Sequence, residues 1–245
     1  MKTKHLIFIL TIALMAVPFI STAQTASQII DKVDQITSAP QDIYQKLQIT
    51  LIDKSGRQQV RKAEMWQKGP DKRLFRFTEP ASYRGIGILS LPGDVMYLYM
   101  PAYGRERRIA SSVKNQKFAG TDLTYDDLQA RNYKDKFNAK LLKTDANYYW
   151  LELKPKDTKS AYSKLILKVK KSDYTPVYLE FYDRGGNKVK TLATQFEKVG
   201  KYWNAKKVTV KDLKRNHTTV MEALETKFDQ GLSDDIFTVR YLKQL

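Results

Sequence analysis

The sequence contains no cysteine, and His217 is the only histidine beyond the first 23 residues. The lack of cysteine excludes disulfide bonds and cysteine-containing zinc sites, and it removes the residue on which a lipoprotein would carry its own anchor. The two shortages together exclude Cys-His catalysis and multi-histidine metal sites. His217 follows Arg215 and Asn216, so we predict an exposed turn residue rather than a catalytic base.

Motifs for nucleotides and for nucleophilic catalysis are missing as well. No P-loop or Gly-x-Ser-x-Gly elbow occurs, and the glycines at 85 and 87 are too few for a dinucleotide loop. The carboxylate pairs at 126–127 and 234–235 lie beside predicted element ends, where carboxylates ordinarily cap or face solvent. The interleaved basic and aromatic residues Arg73, Phe75, Arg76 and Phe77 are explained by alternation on a strand, without nucleic acid. We predict a protein that is not an enzyme and uses no cofactor and no metal.

No apolar run is long enough to cross a bilayer. The longest, residues 6–20, has 15 residues, whereas a spanning helix needs about 20. It follows Lys2 and Lys4 and precedes the small residues 21–23, which is the pattern of a cleaved secretory signal. We predict a signal peptide over 1–23, cleavage near Ala23, and one exported, periplasmic domain over 24–245.

Acidic residues are outnumbered, with 26 against 43 lysines and arginines and a net charge of +17. Loss of Lys2 and Lys4 with the signal peptide leaves +15. Such a balance favours contact with a membrane surface, a polyanion or an acidic partner. The alternative is that lysines are simply spread over a solvated sheet surface.

Hydrophobic periodicity predicts one helix followed by many strands. Ile29, Ile30, Val33 and Ile36 recur at helical spacing, which predicts a helix over Ala26–Thr37. Beyond it, short alternating runs separated by turn signals, including Gly185-Gly186, indicate an antiparallel sandwich or barrel. We expect a helix within 114–133 and a last strand or extended arm over 232–245.

Several predicted strands carry unusually large apolar side chains on one face, enclosing either a packed core or an apolar hollow. These are Trp66, Phe75, Phe77, Met96, Leu98 and Met100. Methionine and aromatic side chains suit walls that adapt to a flexible guest.

Four segments resemble LolA-like outer-membrane lipoprotein-sorting proteins. They read AEMWQKGP at 63–70, LFRFTEP at 74–80, MYLYMP at 96–101 and FAGTDLTYDDL at 118–128, and DIFT at 235–238 adds to the likeness. The resemblance implies a mainly β fold with a few helices, an incomplete antiparallel β-barrel closed by an α-helical lid. It also implies transport of a lipoprotein acyl chain or lipid toward the outer membrane, with an inner-membrane transporter and an outer-membrane acceptor as partners.

The resemblance, together with the large apolar side chains of these strands, suggests site residues. The lipid cavity would be lined by Trp66, Phe75, Phe77, Ile88, Met96, Leu98 and Met100. The lid would contain Phe118, Leu123, Tyr125 and Leu128. LolA-type carriers have an arginine that ties the lid shut, and Gly69 stands in that place here. By strand alternation Arg73 shares the face of Phe75, so we predict that it contacts lid carbonyls or the cargo head group, the alternative being a solvent-exposed position at the rim.

Two other functions fit the sequence. One is a carrier for another lipid that works with an inner-membrane exporter. The other is a non-catalytic envelope module whose basic face binds polyanions, and a solid core without a hollow would favour it. For the carrier, we expect transient contact with a membrane surface and none with nucleic acid.

Overall fold

The computed structural model describes residues 24–129 and 132–244. The predicted signal peptide lies outside these residues. Within the described part of the chain, no helix is both long enough and apolar enough to span a membrane.

The described residues form thirteen strands and four helices, with short 3-10 turns between some of them. The strands are β1 Asp42–Ile52, β2 Gln58–Lys68, β3 Lys72–Glu79, β4 Gly87–Leu91, β5 Val95–Met100, β6 Arg105–Arg108, β7 Phe137–Thr144, β8 Tyr148–Pro155, β9 Tyr162–Lys170, β10 Pro176–Asp183, β11 Lys188–Val199, β12 Tyr202–Asp212 and β13 His217–Phe228. The helices are α1 Ala26–Thr37, α2 Tyr125–Leu128, α3 Tyr133–Lys136 and α4 Val239–Leu242, and the 3-10 turns are Pro101–Tyr103, Ser111–Val113 and Asp234–Phe237.

All thirteen strands belong to one antiparallel sheet. Its order is β6-β5-β4-β3-β2-β1-β13-β12-β11-β10-β9-β8-β7, so each strand pairs with its neighbour in the chain except where β1 pairs with β13. That pairing joins an N-terminal half, β1–β6, to a C-terminal half, β7–β13. The strands β6 and β7 are the two edges and do not pair, which confirms an incomplete barrel.

The connection from β6 to β7 must run from one edge of the sheet to the other. Residues 114–129 of this connection lie over the concave face, and we call them the lid segment. The predicted helix within 114–133 is wrong for most of its length, because only the single turns α2 and α3 are helical. Ala119 and Gly120 have φ of 47° and 78°, a left-handed conformation that ends any regular helix there. Thr124 and Asp127 cap α2 reciprocally.

Helix α1 has the predicted bounds. Thr25 and Gln28 form a capping box at its start. Its buried residues Ile29, Ile30 and Val33 pack against the concave face of the C-terminal half. The helix therefore covers the half of the sheet that the lid segment leaves open.

The C-terminal residues pack on the opposite, convex face of the N-terminal half. The expected strand or arm is wrong, because a 3-10 turn and α4 occupy residues 234–242. Phe237 and Leu242 are buried there against Leu74 and Leu89. A Cβ at Gly87 would lie 3.0 Å from Leu242 Cδ1 and 2.8 Å from the Phe75 carbonyl oxygen, so this approach needs glycine.

Candidate functional site

The concave face of the N-terminal half is filled by aromatic side chains. Phe118 of the lid segment stacks on Phe77 with ring centroids 5.6 Å apart and contacts the edge of Phe75 at 5.8 Å. Phe75 and Phe77 contact each other edge to face at 5.1 Å. Ile88 and Met96 are buried in the same cluster. This region is a packed core that one lid side chain completes.

The other residues predicted for a lipid cavity lie at its margin or outside it. Leu98 is half-buried and packs against the cluster, as do Tyr125 and Leu128 of the lid segment. Met100 is half-buried at the end of β5. Trp66 lies on the convex face beside α4, because the pairing of Met65 with Phe75 turns the next side chain of β2 outward.

Arg61 is a buried tie between the sheet and the lid segment that the sequence analysis missed. Its Nη1 donates a hydrogen bond to the Ala119 carbonyl at 2.5 Å, and its guanidinium lies 3.6 Å from the Tyr83 ring centroid. Burial lowers the pKa of Arg61, although an arginine this basic stays charged at neutral pH. Strand alternation in β2, which places Arg61 on the face of Ala63, could have revealed it.

Asp122 is a second buried tie. Its carboxylate is fully buried and accepts hydrogen bonds from Thr219 Oγ1 at 2.8 Å and from His217 Nδ1 at 2.6 Å, while its backbone N–H donates to Thr219 Oγ1. The side chain of His217 is 11% exposed. The prediction of an exposed turn residue is therefore wrong, because the lid segment returns to the start of β13 and covers it.

Ion pairs join the lid segment to the C-terminal half. Lys190 of β11 contacts Asp127 and donates to Tyr162 Oη, and Lys117 pairs with Asp212. Burial disfavours the Asp127 carboxylate, but Lys190 and Thr124 outweigh that cost and lower its pKa. A buried ion pair of this kind stabilises the closed lid segment only while both partners are charged.

Arg73 also contacts the lid segment. Its Nη1 donates to the Leu128 carbonyl at 3.1 Å, and its Nε and Nη2 donate to Gln67 Oε1. Burial lowers the pKa of Arg73 to about 10, which leaves the guanidinium charged at neutral pH. The carbonyl of Gly69 accepts from Gln67 Nε2 at 3.1 Å, so this glycine takes part only through its backbone.

A cavity of about 580 Å³ lies between the lid segment, α3 and the concave face of β9–β11. Its apolar wall includes Leu165, Leu179, Phe181 and Leu192 of the sheet with Tyr133 and Phe137, and Leu123 of the lid segment adds to it. Its charged lining carries both signs: Arg73, Lys114, Lys136, Lys156 and Lys159, with Asp94, Asp126, Asp127, Asp135 and Asp157. The cavity therefore combines an apolar wall with a charged opening.

This cavity is not where the sequence analysis expects it. None of Trp66, Phe75, Phe77, Ile88, Met96, Leu98 and Met100 borders it, and of the lid residues only Leu123 does. The reason is Phe118, which fills the N-terminal half and leaves open space only beside it. The leucines that do border the cavity belong to ordinary alternating strands, so their sequence carries no signal that sets them apart.

The carboxylate pairs of the sequence are engaged in structural contacts. Asp126 pairs with Lys136, Asp127 with Lys190, and Asp234 with Lys68 and Lys72. Among the described residues, no group of three or more histidine, aspartate or glutamate side chains is arranged to hold a metal ion. The arrangement can enclose a guest of mixed polarity.

The chain is similar to a protein family and to several solved structures. A family model described as that of an uncharacterized protein matches residues 69–244. A Vibrio parahaemolyticus domain described as an outer membrane lipoprotein-sorting protein is 25% identical, with a TM-score of 0.81, covering 89% of this chain and 100% of its own. A LolA superfamily protein from Nitrosomonas europaea is 26% identical, with a TM-score of 0.76 and the same coverages. A search of curated proteins found no match.

Proposed function

We propose a carrier function on the premise that this chain belongs to the family whose model matches residues 69–244, and that it is LolA-like, as its structural relatives are. The fold is that of lipid- and lipoprotein-binding carriers. The finer proposal is that the exported protein takes an acyl chain into the cavity between lid segment and sheet and carries it through the periplasm toward the outer membrane. An inner-membrane transporter would load it and an outer-membrane acceptor would unload it.

The cavity over the C-terminal half is the observation that carries this proposal. Its volume of about 580 Å³ lies within the range of roughly 300–1,000 Å³ typical of small-molecule sites. Each methylene buried against its leucines and Phe181 would contribute about 0.8 kcal/mol. Part of an acyl chain is thus enough for useful binding, and the charged lining can meet the polar end of the same molecule.

Lid opening would enlarge this space. If the ties at Arg61, Arg73 and Asp122 release, Phe118 leaves its place between Phe75 and Phe77. These two side chains, with Ile88 and Met96, would then become a second wall for a longer or second chain. In this proposal the closed lid uses its own phenylalanine to occupy the site that cargo takes in the open form.

The same contacts support binding without catalysis. His217 and Asp122 form the one buried histidine–carboxylate pair of the described residues, and neither of them borders the cavity. A carrier needs no bond-making step, because transfer follows from a difference in affinity between donor and acceptor. We therefore propose that the protein is not an enzyme.

The test is a substitution that fills part of the cavity from its apolar wall. Leu192→Trp places an indole in the cavity, whereas Ala193→Trp, one residue along β11, places it on the convex face. Lipid retained by protein purified from its own periplasm, measured by native mass spectrometry, should fall at least about tenfold in the first variant, the equivalent of about two methylenes. It should stay unchanged in the second.

Equal lipid content in the two variants would rule out this cavity as the cargo site. The mass of the retained molecule also separates the two carrier functions. A lipoprotein or its acylated peptide supports sorting, and a free lipid supports work with a lipid exporter. A protein that retains neither and binds soluble polyanions would support the envelope module instead.

A further inference from the structure

The convex face of the C-terminal half carries side chains in regular rows, which the strand register defines. Lys143 of β7 lies opposite Trp150 of β8, Trp150 opposite Lys168 of β9, and Lys168 opposite Tyr178 of β10. We call these four residues the basic-aromatic row. Leu141, Leu151 and Leu167 point to the concave face, so the row points away from the cavity.

The row is held together by contacts between lysines and rings. Lys143 Nζ lies 4.7 Å from the Trp150 centroid and Lys168 Nζ lies 4.9 Å from it. Lys168 Nζ also lies 3.8 Å from the centroid of Tyr148, two residues along β8. Trp150 Nε1 donates to Asp145 at 3.1 Å, which fixes the indole on the surface.

A second group of lysines on the same face differs in its charge balance. Lys164 lies 3.6 Å from Glu152, and Lys188 lies 3.0 Å from Glu180. By contrast, no carboxylate of the described residues lies within 4.0 Å of the ammonium groups of Lys143 or Lys168. Lys143 and Lys168 therefore make no ion pair within 4.0 Å, and the nearest negative charge named for the row is Asp145, which holds the Trp150 indole and interacts with Lys168 over a longer distance.

Lysines beside tryptophan and tyrosine suit one kind of partner. The rings are amphipathic and settle at the boundary between lipid head groups and acyl chains, while lysines are attracted to anionic lipid. Leu142, 47% exposed on the edge strand next to Lys143, adds an apolar side chain at the same corner. We propose that the basic-aromatic row docks the protein on an anionic membrane surface.

This inference deepens the proposed function, since it gives the carrier a surface with which to meet the membranes it serves. The inference rests on the proposed function only for the reason why the protein would meet a membrane. The row lies on the face opposite the lid segment, so docking would leave the ties at Arg61, Arg73 and Asp122 free to open.

The test uses the mature protein and vesicles of phosphatidylcholine alone or mixed with phosphatidylglycerol. Wild type should sediment with the mixed vesicles only, and high salt should weaken binding. The double variant Lys143→Glu with Lys168→Glu should bind them at least about tenfold more weakly. The control, Lys62→Glu with Lys207→Glu, makes the same change in net charge at lysines paired with Glu79 and Glu222.

Trp150 supplies a second readout. Mixed vesicles should shift the tryptophan emission of wild type to shorter wavelength, and Trp150→Phe should abolish that shift. Equal weakening in the two double variants would overturn the proposal in favour of general charge attraction. Binding to heparin without binding to vesicles would also overturn it, in favour of a soluble polyanion. Retained lipid, measured separately, should be unchanged in every one of these variants, so a failure here differs from a failure of the cavity.

Discussion

The two halves of the concave face are built from similar alternating strands, yet one is solid and the other encloses a cavity. In the N-terminal half, Phe118 comes down from the lid segment and completes a core with Phe75 and Phe77. In the C-terminal half, α1 packs on the strands, but a space of about 580 Å³ stays open beside Leu179 and Phe181, under the lid segment and α3. The difference lies in the covering segment and not in the sheet, so the state of the lid decides how much space the barrel offers.

The largest effect should come from truncating the aromatic side chain that fills the N-terminal half. Phe118→Ala removes a fully packed ring, and we expect the free energy of unfolding to fall by about 3–5 kcal/mol. The matched variant Phe137→Ala truncates a half-buried ring that already borders the cavity, so it should cost about 2 kcal/mol or less. Urea denaturation measures both. Equal losses would show that the two halves are packed alike.

The strands of the sheet can be predicted from the sequence more accurately than the lid segment that covers them. The helix Ala26–Thr37 is recovered with its bounds because its periodicity and cap are local, and hairpins such as β10–β11 are recovered because turn residues act locally too. The lid segment is not, because its shape depends on distant partners: Arg61 bonds to Ala119 and Asp122 to Thr219. The choice of Trp66 as a cavity residue rests on its size, whereas the register with β3 decides its face.

The cavity itself could not be read from the sequence for a related reason. Leu179 and Leu192 alternate like any sheet residues, and their openness depends on where α3 and the lid segment lie. Arg73 could be placed, because alternation on β3 puts it on the face of Phe75 and the lid segment crosses that face. Strand parity can thus place Arg73 and Arg61, but it can place neither Asp122 of the lid segment nor the empty space.

A smaller effect on stability should come from the ion pair on the cavity side, and this effect should depend on pH. Asp127 ties the lid segment to Lys190 on the cavity side, and its lowered pKa means that this tie contributes stability above the unfolded pKa of about 3.9. The contribution should be lost as the pH falls through the folded value, which lies lower. Asp127→Asn should therefore cost about 2 kcal/mol at pH 7.

The pH series itself is the check on this tie. The gap between wild type and Asp127→Asn in the free energy of unfolding should close in acid, as the wild-type carboxyl becomes protonated. A gap that stays constant from pH 7 to well below 4 would mean that the Asn disturbs packing rather than removing an ion pair.

The smallest effect should come from substituting Arg73, which lies between the packed core of the N-terminal half and the cavity. Its bond to the Leu128 carbonyl should contribute about 1 kcal/mol, so Arg73→Leu should speed the release of a bound fluorescent fatty acid about fivefold. Arg76 is a matched control three residues along β3, because its Nη1 also donates to a backbone carbonyl at 3.1 Å, that of Tyr241 on the convex face. Arg76→Leu should loosen the C-terminal segment without changing release. If both variants release the fatty acid at the wild-type rate, the lid segment is held by its other ties, and Arg73 is only part of the cavity wall.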